Sequence, residues 1–549
     1  MKGIVLALLL GIAQGDDTLV VLNKGRLRGE RVDLDFGEYY YAYRGVPYAK
    51  PPVKELRFKD PVEFDYWGII DAVEDGHICP QFDIGQGQPV GDENCLTLNV
   101  YTPKLDSKKR AVMVYFHGGS FVMGGGSSLY FGPETLIEKD VVVVTFNYRL
   151  GPMGFLTTAD KAASGNQGVK DQIMALKWVK DNIDRFGGNP EKITLFGEDS
   201  GAASITIMAM SPLAQGLFSG AIAMSGNALC DQFIQSNPEE AALELASRLE
   251  CDTESGETIL RCLNKLTQQE IIKISQDMFM FWSFPRWFAP SVDGVVLPDK
   301  PENLLASGKF AKVPFMVGQT KDEGAAFYRL TINAFNNGRY DDNFVDNKLP
   351  RMLPVLSDFN SKLYPMTRLI RKKYFTNVDM EVEEEFRPRY INFLTDLLFS
   401  RCTDRFTSIL TKYSVPAYEY SFDYRGQYSV VNLQGEQVDM GVAHGDDVQY
   451  VFQHIWGQDL EMSSSDSKFS KNVYTTLLTN FAKTSVPTPT IDEFISVSWP
   501  PVSPTLHNVM RINNKLKLET DFNKERRRFW SETIPDLFKA SGKKAKSEL

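Results

Sequence analysis

The chain has 549 residues, a net charge of −10 and a pI near 5.3, with 43% hydrophobic and 12% aromatic residues. The acidic balance excludes nucleic acid or an anionic membrane as the main partner, and the basic end "KKAKSEL" is too short to change that. Length alone suggests about three or four domains, but large α/β folds often run as one unit.

The N-terminal stretch "MKGIVLALLLGIAQGDDT" joins a Lys, an apolar run from Ile4 to Ala13 and small residues at Ala13 and Gly15. It predicts a secretory signal peptide over 1–15. The run is too short to span a bilayer, and no later stretch reaches the roughly 20 apolar residues a span needs. The rest, a domain over 16–538 and a Lys-rich tail over 539–549, is expected to pass through an oxidising compartment where the six cysteines can pair. The chain has no N-x-S/T sequon, so no N-linked glycan is expected. The final "KSEL" resembles an ER-retrieval signal with Ser in place of Asp. It predicts a retrieval receptor as partner and the ER lumen as destination; if it is only a solvated Lys-rich end, the protein is extracellular.

"RAVMVYFHGG" and "DVVVVTFNYRLG" are apolar and β-branched, as central parallel strands should be. Val169, Ile173, Leu176, Val179, Ile183 and Phe186 form one face of an amphipathic helix, which "FGGNP" stops. "KITLF" follows as a strand, "AASITIMAM" as a helix, and "KVPFMVGQT" and "PAYEYSFDY" as further strands. This alternation predicts an α/β fold, a mostly parallel sheet covered on both faces in one large domain.

The ordered segments "YRGVPYAKPPVKELRF", "DENCLTLNVYTP", "VYFHGGSFVMG", "NYRLGPMGFL", "GNQGVKDQIMALKWVKDNIDRFGGNP", "SVDGVVLPD", "GQTKDEG" and "AHGDDVQYVF" together resemble the type-B carboxylesterase/cholinesterase family of α/β-hydrolases, the insect carboxylesterases in particular. The resemblance covers nearly the whole chain and implies an ester-binding gorge with a Ser-His-Glu triad. "TKDEG" then points to Glu323 and "AHGDDVQYVF" to His444, one of five histidines. Either residue alone is more often structural; the motifs reverse those odds. "HGGSF" implies an oxyanion loop whose donors are the amides of Gly119 and Ser120, joined by that of Ser200.

The departure is at "ITLFGEDSGAASI". A nucleophile elbow reads G-x-Nuc-x-G between strand and helix. Gly197 and Gly201 fix that frame and put Asp199 at the apex, where the family has serine. Making Ser200 the apex would put Glu198 and Ala202 where small flanking residues belong and aim Ser200 away from His444. No Ser codon becomes an Asp codon by one base change.

Aspartate changes the chemistry. If a carboxylate attacks an ester carbonyl, the adduct has two leaving groups, and a carboxylate of pKa about 4 leaves far more readily than an alkoxide near 16. The adduct collapses backwards. His444, between Glu323 and Asp199 with Glu198 nearby, is expected to have a raised pKa and to be a poor base. Removing the triad serine of another hydrolase costs about 10⁶-fold in kcat and leaves about 10³ to 10⁴ over water.

The expectation is therefore a carboxylesterase-family protein that binds apolar esters or small lipophiles and has lost efficient serine catalysis. The alternatives are ester hydrolysis through water or Ser200, and an Asp199 nucleophile that displaces at saturated carbon, as in epoxide hydrolases and haloalkane dehalogenases. An adhesion-type interaction protein ranks last.

"MFMFWSFPRWFAP" lies where the family places its acyl-pocket wall. Ordinary core packing accounts for most of it; Phe284, Arg286 and Trp287 are the candidates to face the gorge. The loop between Cys79 and Cys95 carries no Trp for a cation–π contact, so choline esters are not expected. The resemblance pairs Cys79 with Cys95 and Cys251 with Cys262, leaves Cys230 and Cys402 as candidate free thiols, and implies the ion pairs Arg44–Glu93 and Arg149–Asp171. No His or Cys spacing suggests a metal and no cofactor motif occurs.

Overall fold

The computed structural model describes residues 17–544 except 35–36, 67, 434, 436–437, 453, 456–457 and 460; the expected signal peptide and the "KSEL" end lie outside the described residues. The main sheet has 11 strands. They are β1 (Glu30–Asp33), β2 (Tyr39–Pro47), β3 (Thr97–Thr102), β4 (Arg110–Phe116), β5 (Val142–Phe146), β6 (Gly188–Glu198), β7 (Gly220–Met224), β8 (Phe315–Thr320), β9 (Ala417–Phe422), β10 (Asn508–Ile512) and β11 (Lys517–Thr520). Their order across the sheet is β11-β10-β9-β8-β7-β6-β4-β5-β3-β2-β1. The strands from β10 across to β5 run parallel, while β3, β2 and β1 at one edge and β11 at the other add antiparallel pairs.

Both faces of the sheet are covered. In β4, Val112, Val114 and Phe116 enter one core, and Ala111, Met113 and Tyr115 the opposite one, the period-two alternation of a strand. The first core takes α1 (Gln167–Asn182), α2 (Ser200–Met210) and α3 (Arg401–Lys412); the second takes Leu477, Leu478 and Phe481 of α4 (Thr475–Thr484). The α/β fold expected from the sequence is thus present as a mixed sheet.

Three local expectations are corrected. The helix predicted over 169–186 ends its α-helical part at Asn182; a 3₁₀ turn, Ile183–Phe186, carries the apolar face on, and Gly187, at φ 77°, closes it. Left-handed backbone there suits a residue without a Cβ. Arg44 does not meet Glu93. It pairs with Glu30, which lies opposite Ala42 and is therefore its diagonal neighbour on the same face of the β1–β2 ladder. Glu93 instead receives two bonds from Arg57, at 2.5 and 2.6 Å.

Cys230 and Cys402 are not free. They form a disulfide across 172 residues, beside Cys79–Cys95 and Cys251–Cys262. The new bridge joins the segment after β7 to the first turn of α3. The expected Arg149–Asp171 pair is present and bidentate, at 2.7 Å for each contact.

Candidate functional site

The site is assembled from loops at the carboxyl ends of parallel strands, where α/β sheets present their chemistry. Between β6 and α2 the chain reverses at Asp199, whose φ is 54° and ψ −122°. That region is sparsely populated for a residue with a side chain and costs about 1–3 kcal/mol. Gly197 and Gly201 make the turn feasible: a Cβ on either would strike the carbonyl oxygen of Phe116, at the end of β4. The G-x-x-x-G frame read from the sequence is therefore a steric requirement.

Residues 117–121 follow β4. Gly119 (φ 103°) and Ser120 (φ 54°) both adopt left-handed backbone, which turns consecutive amides toward the elbow. Their N–H groups donate to Asp199 Oδ2, at 3.0 Å from Gly119 and 2.7 Å from Ser120. The anion bound by this loop is the protein's own carboxylate.

Glu323 follows β8. Its Oε1 accepts from the Ser225 hydroxyl at 2.5 Å and the Thr320 amide at 2.7 Å, and its Oε2 stands 2.6 Å from His444 Nδ1. His444 lies in the long loop after β9. Asp446 orients that loop, accepting from the amides of Val430 at 2.7 Å and Ala443 at 2.8 Å and from the Ser429 hydroxyl at 2.7 Å. The other imidazole nitrogen, Nε2, is 3.1 Å from Glu198 Oε1 and 3.4 Å from Asp199 Oδ1. Asp199, His444 and Glu323 are thus brought together, with Glu198 as a third carboxylate on the ring.

The charges sort by environment. Burial alone would push His444 down, but the charges of Glu198 and Glu323 and the hydrogen bonds to Asp199 and Glu323 outweigh it and hold the imidazole well above its ordinary value. Burial raises the Asp199 carboxyl, yet His444 and the amides of Ser200 and Ser120 bring it below the usual range. For Glu198 burial wins: with Asp199, Asp447 and Glu323 adding to it against His444, its carboxyl is pushed well up. His444 thus stands between the carboxylates of Asp199 and Glu323 with its imidazole raised, and Glu198 is the carboxyl that is pushed up.

Ser200 is fully buried beside the Tyr148 hydroxyl. The polar contacts of His444 among the described residues go to Glu198, Asp199 and Glu323, not to Ser200.

The ring of His444 is walled by Phe399, at 4.7 Å between centroids, and Phe327, at 5.7 Å. Phe284 packs edge-on against Phe327 at 6.4 Å, one ring removed from the imidazole. Arg286 is engaged elsewhere, donating to Asp358 at 2.6 Å and to the Ile234 carbonyl at 3.1 Å. Trp287 is half-buried and donates to the Met278 carbonyl at 2.7 Å. The indole that reaches the loop after β4 is that of Trp282, 3.3 Å from Ser120 Oγ.

The sequence did not single out Trp282, Phe327, Phe399 or Ser225. The one available signal was Ser225, a polar residue directly after the apolar strand "GAIAM", at the end of the sheet where sites form.

The carboxylesterase family pattern matches residues 16–530. The chain is 32% identical over 527 residues to esterase E4 of Myzus persicae, covering 91% of this chain and 92% of that protein. It is 32% identical over 493 residues to carboxylesterase 1D of Rattus norvegicus, covering 84% and 85%. Venom carboxylesterase-6 of Apis mellifera is 31% identical over 549 residues, with 93% of each chain covered. With this match across nearly its full length and an eleven-stranded α/β sheet beneath it, the chain belongs to the carboxylesterase family.

Proposed function

We propose that this protein binds apolar esters or similar small lipophiles and lacks efficient serine-type ester hydrolysis, because Asp199 stands at the nucleophile position of a Ser-His-Glu triad. The observation that carries this reading is the pair of hydrogen bonds donated by the Gly119 and Ser120 amides to Asp199 Oδ2. A hole that would stabilise the oxyanion of a tetrahedral adduct already holds an anion, so substrate oxygen must displace a carboxylate to enter it. Two further points agree. The protonated state favoured at His444 removes the general base, and an Asp199 adduct on an ester carbonyl expels the better leaving group, Asp199 itself. Purified wild-type protein is expected to hydrolyse p-nitrophenyl and naphthyl acetates at close to the background rate. Rapid turnover would overturn the proposal.

A second reading has an observation of its own. With Oδ2 held by amides, Oδ1 faces His444 at 3.4 Å, the disposition a carboxylate would need to displace at a saturated carbon and then be released by water. The imidazolium is poorly suited to activating that water, so this reading ranks second. Turnover of an epoxide or alkyl halide in H₂¹⁸O would put label in an Asp199 peptide; turnover without label removes it.

The proposal extends to one domain over 16–538, entry into the secretory pathway through residues 1–15, and residence in the ER lumen or outside the cell. Three disulfides fit an oxidising compartment.

A further inference from the structure

Away from the elbow, a cleft lined mainly by polar and charged residues opens between α3, β9 and the segment after β11. Asp404 and Glu419 line it, and His507 stands against both. Glu419 projects from β9, Asp404 from α3, and His507 directly precedes β10. His507 Nε2 is 3.0 Å from Glu419 Oε1 and 3.9 Å from Asp404 Oδ1, and ligand atoms from all three lie within 4.8 Å of one another. No spacing rule could reveal the group, since its members are at 404, 419 and 507.

Both nearby guanidinium groups are engaged by other carboxylates. Arg526 is taken by Asp396, at 2.5 and 2.6 Å. Arg527 stands 3.9 Å from Asp404 and is shared with Asp521 at 3.4 Å. Glu419 is 6% exposed, and its Oε2 is buried with no hydrogen-bond partner among the described residues. Thr403 Oγ1, also buried and lining the cleft, is likewise unpartnered. Orphaned buried oxygens carry a full desolvation cost and call for an occupant.

We propose that Asp404, Glu419 and His507 form a binding site for a Zn²⁺-class divalent cation, with the fourth position open to the cleft. The donor chemistry selects this class. One imidazole and two carboxylates suit zinc and balance its charge, whereas calcium takes six or more oxygens. The geometry agrees as well: tetrahedral bonds of about 2.0–2.1 Å place ligand atoms about 3.3 Å apart, between the two separations measured from His507. The donors sit on or beside two adjacent strands and a helix packed on them, so small side-chain shifts complete the site. The bound ion would tie α3 to the sheet, and Phe399, two residues before α3, walls His444.

The test uses the full-length protein, stripped with EDTA and titrated with ZnCl₂ by calorimetry, with CaCl₂ as the control. One Zn²⁺ per chain is expected, together with a higher unfolding midpoint and no comparable calcium binding. Glu419→Gln and His507→Ala should each weaken zinc at least about tenfold. Should a variant fail to fold, anomalous diffraction at the zinc edge from wild-type crystals decides: a peak among the three side chains supports the site. Absence of stoichiometric zinc, zinc unaffected by both variants, or a peak elsewhere overturns the proposal and leaves a water-filled polar cleft.

Discussion

Two buried charge clusters sit in the same core and are built on opposite principles. Arg149 and Asp171 form a closed pair. The guanidinium makes two bonds of 2.7 Å to the carboxylate, the Arg149 amide adds a third at 3.1 Å, and the remaining arm reaches the Lys59 carbonyl at 2.7 Å. One positive charge meets one negative charge. At His444 one ring faces three carboxylates, at 2.6, 3.1 and 3.4 Å. That imbalance raises both the His444 imidazole and the Glu198 carboxyl. A balanced buried pair braces a fold; an unbalanced one shifts the proton affinities of its members.

The largest stability effect should come from breaking the balanced pair. Arg149→Met strands a buried carboxylate and should cost about 3–5 kcal/mol in urea unfolding, whereas replacing both partners with apolar residues should recover most of it. A single-variant cost below about 1 kcal/mol would show that the pair is no brace.

The next effect belongs to Asp199 and depends on pH. The His444 value is raised on folding, so its contribution is complete below about pH 6.5 and is lost as pH rises through the folded value. The Asp199 value is lowered on folding, so its contribution is complete above about pH 3.9 and is lost as pH falls through the folded value. The stability difference between wild type and Asp199→Asn should therefore be greatest in the window between and shrink on both sides. Its slope should not exceed about 1.4 kcal/mol for each pH step of one, the limit for a single proton. A difference independent of pH would contradict the charge assignment.

The smallest effect is expected at Glu198. Burial and its acidic neighbours push its carboxyl well up, so the neutral isostere Glu198→Gln should change stability by less than about 1 kcal/mol. A cost equal to that of Asp199→Asn would mean that the proton resides elsewhere.

The sequence made the elbow legible because its requirement is local. Gly197 and Gly201 must lack a Cβ at a fixed spacing around Asp199, and the strand before and helix after carry their own patterns. Glu323 and His444 were legible only through their motif context, since nothing in an isolated acid or histidine marks it. Other features depend on tertiary packing and leave no sequence period. Cys230 meets Cys402 across 172 residues. Arg44 turns to a diagonal neighbour on its own ladder. Arg286 is drawn to Asp358, while Phe327 and Phe399 read as ordinary apolar residues and yet enclose His444. Least legible was where the Asp199 side chain points. The left-handed turn aims it into the amides of Gly119 and Ser120, and that orientation follows from backbone angles rather than from residue type.

The central claim is that one carboxylate disarms an otherwise intact ester site, and Asp199→Ser tests it most directly. Hydrolysis of a p-nitrophenyl ester series should be at least about 10³-fold faster in the variant than in wild type, with a rate that rises with pH as His444 loses its proton, and an organophosphate should phosphorylate position 199. Equal rates in the two proteins, or a variant inert to the organophosphate, would contradict the account.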